Sequence, residues 1–166
     1  MKKLLFLIVL LGAWSCSDGD LQIETIDFDD ISIQQCGSVS TSTTLFFKID
    51  SDETLILDLQ NGLLDNEATT DTIRSTIPNQ SQLTYRIFSD NVSSNYFCDE
   101  IPPSTPIVVE EIEAIDGEIL ITTVEIDSVT YDHTILLNEV SLINSLGERI
   151  TDLSISDFGT ITTTTD

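Results

Sequence analysis

From residue 21 onward the chain is cut into short pieces. Thr, Ile, Val and aromatic residues gather in runs of roughly 5–10 residues, and Gly, Pro, Asn, Asp and Ser separate the runs. Branched and aromatic side chains suit a pleated, half-buried surface, and pieces this short leave little room for helices of ordinary length. The chain is therefore expected to build its core from many short strands.

Alternation within the runs supports this. Leu45, Phe47 and Ile49 share one face of a first strand, and Leu55, Leu57 and Leu59 share one face of a second. The polar stretch Asp50-Ser51-Asp52-Glu53 joins them as a hairpin. Leu83, Tyr85 and Ile87 mark another strand, entered through a turn at Pro78-Asn79-Gln80-Ser81. Pro102, Pro103 and Pro106 lack the N–H that a ladder needs, so 101–106 reads as a loop. Asp116-Gly117 is a strong hairpin signal between apolar runs at 107–115 and 118–126. A two-residue turn there pairs Ile112 with Ile121 and Val109 with Val124. These pairs fall on opposite faces, so either both faces are partly buried or a bulge shifts the register. Val129, Tyr131, His133, Ile135 and Leu137 alternate in a further strand, followed by a turn at Asn144-Ser145-Leu146-Gly147. Strands are expected at 150–155 and 159–162, and a short helix at 62–68. Roughly 9–11 strands with turns every 8–12 residues predict an all-β fold, with an immunoglobulin-like β-sandwich as the leading form and another antiparallel sandwich or barrel as the alternative. The Cys…Trp…Cys marker of true immunoglobulin domains is missing, because the only Trp is Trp14.

The first 15 residues differ from the rest. Lys2 and Lys3 precede an unbroken apolar run from Leu4 to Leu11, extended by Gly12, Ala13 and Trp14. The run is too short to span a bilayer and fits a secretory signal. Ala13-Trp14-Ser15-Cys16 resembles the lipobox of bacterial lipoproteins, with Trp14 where a small residue is usual and Ala13 where Leu is frequent. The looser lipobox of Bacteroidota lipoproteins is similar, and Cys16-Ser17-Asp18-Gly19-Asp20 resembles the Ser-then-acidic stretch that accompanies display on the outer face of the outer membrane in that group. The resemblance implies a signal peptide at 1–15 and a lipidated Cys16 with a short acidic tether at 16–20; the strand pattern then assigns 21–166 to one β-sandwich domain. The resemblance also implies anchoring in the outer membrane, where two or more acyl chains hold a protein stably and a single chain does not.

Cys36 and Cys98 remain, an even pair in an exported chain, and the natural pairing is one disulfide. Two buried thiols are the alternative. No C-x-x-C spacing supports a redox or zinc site.

Little else carries chemistry. His133 is the only histidine and lies on the apolar face of its strand, which favours a buried, hydrogen-bonded imidazole over a triad member. Asp132 points to the opposite face, and no G-x-S-x-G elbow exists. With 29 acidic residues, a pair of neighbouring carboxylates is expected from abundance alone and does not indicate a glycosidase. No catalytic residue and no enzyme activity are expected. Sugar-binding platforms would have to use Tyr85, Tyr96 or Tyr131, two of which lie on faces read as buried. No cofactor is implied apart from Ca²⁺, whose weak candidate ligands are Asp27, Asp29 and Asp30 in one cluster and Asp50, Asp52 and Glu53 in another. Neither cluster matches an EF-hand loop.

Charge sets the class of partner. The formal net charge is −23, and removal of 1–15 leaves 4 basic against 29 acidic residues, a net of −25. A nucleic acid or an anionic lipid surface would be repelled. The expectation is a non-catalytic envelope lipoprotein, displayed at the surface, that serves as a binding or accessory module for an unknown protein or glycan partner. The alternatives are an extracellular glycan-binding or polymer-degrading protein, or a Ca²⁺-dependent adhesin-like module.

Overall fold

The computed structural model describes residues 26, 28–147, 149 and 156–165. The expected signal peptide, Cys16, the tether, Asp27 and the strand at 150–155 lie outside the described residues. The elements in chain order are β1 (Gln34–Gln35), β2 (Leu45–Asp50), β3 (Glu53–Asp58), β4 (Ile73–Thr76), β5 (Gln82–Phe88), α1 (Asn95–Cys98), β6 (Val108–Asp127), β7 (Thr130–Leu142) and β8 (Ser156–Thr164). All pairings between these strands are antiparallel, in the order β1-β2-β3-β5-β6-β7-β8, with β4 beside β6. The sheet curls into a half-barrel.

The β2–β3 hairpin forms, but with Phe46 opposite Leu57 and Lys48 opposite Leu55, so the expected Leu45-Phe47-Ile49 face lies on the side of the sheet away from Leu55 and Leu57. The turn before β5 also forms, with the amides of Gln80 and Ser81 both donating to the Thr76 carbonyl. The helix expected at 62–68 is a loop, in which Leu64 is buried and Gly62 takes a positive φ of 83°. The one described helix is the single turn α1, elsewhere in the chain.

Asp116-Gly117 does not make a hairpin. It lies inside β6, a 20-residue strand that runs through both arms of the sheet. On one edge β6 pairs with β5 and then β4; on the other it pairs with β7 from Ala114 to Asp127. Ile112 faces Tyr85, while Ile121 faces Ile73 and Ile135, so the expected Ile112–Ile121 and Val109–Val124 pairs do not exist. The bulge reading of the parity problem is the right one, inside a single strand. Ile112 and Ala114 point inward on even positions, and Ile119, Ile121 and Thr123 point inward on odd ones. The register shifts between Ala114 and Glu118 absorb the change. β7 makes the matching change around Glu139, which has φ of 53°: His133, Ile135 and Leu137 are buried before it, Val140 and Leu142 after it. β8 does the same around Gly159, between Phe158 and Ile161. Each bulge bends its strand while keeping apolar side chains on the concave face. That face holds the core, to which one arm contributes Phe46, Leu57 and Tyr85 and the other Ile119, Ile135 and Phe158.

The convex face of the first arm has its own cover. Phe97 of α1 stacks on Phe47 of β2 with ring centroids 4.4 Å apart, and Tyr96 meets Phe88 of β5 edge-on at 4.8 Å. The Cys36–Cys98 disulfide ties this helical turn to the end of β1 across a Cα separation of 5.2 Å.

Candidate functional site

His133 lies in the first half of β7, fully buried. Its Nδ1 lies 2.8 Å from Thr123 Oγ1 on β6, and its Nε2 lies 2.8 Å from Thr163 Oγ1 on β8. The proton positions follow from the last link. Thr163 donates its hydroxyl hydrogen to Asn66 Oδ1, so toward the ring it accepts, and Nε2 carries the hydrogen. Nδ1 is then the acceptor for the Thr123 hydroxyl. The chain is consistent with a neutral imidazole. Burial lowers the His133 pKa, and the nearby charges of Asp132 and Asp65 pull it partly back up. Both ring nitrogens are committed within the protein, as the apolar surroundings of His133 in the sequence suggested. Asp132 faces the other side of β7 and accepts from Thr162 Oγ1 at 2.6 Å.

The same network anchors the 62–72 loop. Asn66 ends the His133 chain, and Thr69 clasps Thr123 twice. The Thr69 amide donates to the Thr123 carbonyl, and the Thr123 amide donates to Thr69 Oγ1, each at 3.0 Å. Next to these anchors, Asp65 and residues 67–73 line a shallow depression of about 410 Å³ that includes Glu67, Asp71, Thr70 and Thr72. The sequence marked 62–68 only as a short helix, because the anchors of this loop are distant in the chain.

Among the described residues, the carboxylates proposed for Ca²⁺ are not assembled into a cage, and Asp27 lies outside them. Among the described residues, no group of three or more His, Cys, Asp or Glu side chains is placed to hold a metal ion. Asp50 and Asp52 are exposed at the β2–β3 turn. Two backbone oxygens of that turn are already used: Ser51 O accepts from the Val92 amide and Asp52 O from the Phe88 amide. Asp29 and Asp30 are exposed in a separate turn. Of the tyrosines, Tyr85 is buried and Tyr96 packs on Phe88 and Phe97, as a core role requires.

The basic residues are distributed in the opposite way to the acids. Lys48 is 1% exposed, and its Nζ donates to the carbonyls of Phe28 at 2.7 Å and Asp157 at 2.8 Å, with the Phe158 ring 5.5 Å away. Arg74 pairs with Glu118 at 2.6 Å, and Arg86 pairs with Glu111 through both Nε and Nη2. Three of the four basic residues beyond the N-terminal segment are therefore engaged inside the molecule. The outward surface presents carboxylates with little to offset them. Among the described residues no helix is long and apolar enough to cross a membrane. Comparisons with protein-family models, with curated proteins and with solved structures each found no match.

Proposed function

We propose that the protein is a non-catalytic interaction module, held at the outer membrane of a Gram-negative envelope through a lipidated Cys16 and facing outward. The observation that carries this reading is the separation of charge. Lys48 is buried on carbonyls and two arginines are paired with glutamates, while most acidic side chains face solvent. Such a surface repels anionic membrane and favours neutral or cationic partners. The buried, doubly bonded His133 supports a structural rather than a catalytic role for the one imidazole. The Cys36–Cys98 disulfide fits an oxidising compartment. In this reading the two arms of the curled sheet correspond to the two layers of an immunoglobulin-like sandwich, packed face to face across the shared core.

The test is fractionation of cells producing the Cys16→Ser variant. The unaltered chain should incorporate labelled palmitate, pellet with membranes and be cleaved by protease added to intact cells. The variant should lose the label and appear in the soluble fraction. A variant that still pellets and still takes up palmitate would sink the reading.

A further inference from the structure

The long strand β6 outruns its neighbour. β7 pairs with it only from Ala114 onward, whereas β5 pairs with it back to Val108. The edge of β6 from Val108 to Glu113, on the side away from β5, therefore has no strand beside it among the described residues. No turn or loop backbone bond reaches residues 108–113 either, among the described residues.

We infer that this open edge docks an extended segment of another polypeptide that carries lysine or arginine. The inference rests on the interaction-module reading above and specifies its surface. An unpaired strand edge offers main-chain donors and acceptors to an added strand, while side chains on alternate positions select the sequence. Here the outward positions are Ile107, Val109, Glu111, Glu113 and Ile115, with Val109 65% exposed and Ile115 54%. Arg86 holds Glu111. Glu110 and Glu113 form no ion pair among the described residues. These two carboxylates stand three positions apart and so lie on opposite faces of the strand. An added strand would neutralise both by placing one cation on each of its faces, with an apolar side chain against Val109. A second copy of this acidic chain would set like charges side by side and is disfavoured.

The test uses the full chain in detergent micelles and two synthetic decapeptides of equal charge. One carries lysines three positions apart, and so on both faces of an extended strand, with valines between them; in the other, proline replaces every second valine and prevents a ladder. The first peptide should bind, slow amide exchange at 108–113, and bind about tenfold more weakly to the Glu110→Lys, Glu113→Lys variant. Equal binding of the two peptides, exchange protection elsewhere, or no binding at all would overturn the inference. Self-association that buries the same amides would overturn it too. None of these outcomes bears on anchoring through Cys16, which the fractionation of cells decides separately.

Discussion

Lys48 and Asp157 are 109 positions apart, yet the Lys48 ammonium donates to the Asp157 carbonyl at 2.8 Å. The contact joins β2, near one end of the curled sheet, to β8 at the other. The second bond of Lys48, to Phe28 O, brings in the segment before β1. On the same side, Ile33 packs where a Cβ on Gly159 would lie, 3.3 Å away. One buried side chain thus holds the two ends of the half-barrel where no ladder joins them among the described residues.

Replacing Lys48 with methionine keeps the volume and removes the donors. Two carbonyls then lose a charged partner in a dry environment, which costs about 2–4 kcal/mol. Urea unfolding should show a lower midpoint, and amide exchange should quicken first in β8. An unchanged midpoint would show that Lys48 does not hold the ends together.

The disulfide acts on a different part of the sheet. Its loop has a sequence separation of 62, and the chain-entropy model assigns such a cross-link roughly 4 kcal/mol as an upper figure. The double variant Cys36→Ser, Cys98→Ser should unfold at lower denaturant. It should also free Phe97 from Phe47, which aromatic circular dichroism would register. Labelling of unfolded, unreduced protein should find neither cysteine reactive.

Much of this architecture can be read from alternation. Leu55 and Leu57, Leu83 and Tyr85, and His133 and Ile135 all fall on the core face because one buried side fixes a period of two. Composition and cysteine number likewise point to the Cys36–Cys98 bridge. Lys48 defeats this reasoning. It alternates with Phe46 and so shares its inward face, but the carbonyls that make burial tolerable come from Phe28 and Asp157, far away in sequence. Asp116-Gly117 misleads for a related reason. Glycine with positive φ serves a hairpin turn and a bulge equally, and the neighbour that decides between them here is Val140 on β7. The anchoring of the 62–72 loop is hidden similarly, since Asn66 and Thr69 find their partners on β6 and β8.

Gly117 gives a sharp test of the bulge. It has φ of 130°, and a Cβ there would lie 2.8 Å from the Val140 Cα, a backbone atom that cannot swing aside. Gly117→Ala should therefore destabilise by more than about 2 kcal/mol, through strain and the displacement of β7. A hairpin turn at this position would instead place residue 117 in solvent, away from Val140. Thermal unfolding of Gly117→Ala beside an alanine substitution at Gly147, where nothing lies within 4 Å of the added Cβ, separates the close approach from positive φ alone, because Gly147 also has φ of 82°.

The pH dependence of stability should carry the mark of His133. Burial depresses its pKa below the ordinary value of 6.5, with Asp132 and Asp65 opposing the shift. The unfolded chain therefore takes up a proton at this site before the folded chain does. The stability associated with a neutral His133 is fully present above pH 6.5 and is lost as pH falls from there toward the folded-state pKa. The slope cannot exceed about 1.4 kcal/mol per pH unit for one proton. Protonation would place a hydrogen on Nδ1, where the Thr123 hydroxyl now donates. The Thr69–Thr123 clasp shares Thr123 with that contact, so amide exchange at Thr69 should rise as the imidazole titrates. Acidic self-repulsion works in the opposite direction but relaxes only nearer the carboxylate range, so the two effects occupy different parts of the pH scale. Urea midpoints between pH 7.5 and 5.5 should fall for the unaltered chain and stay level for His133→Gln. An imidazole that titrates at or above 6.5 by NMR, with no loss of stability, would contradict the buried neutral network.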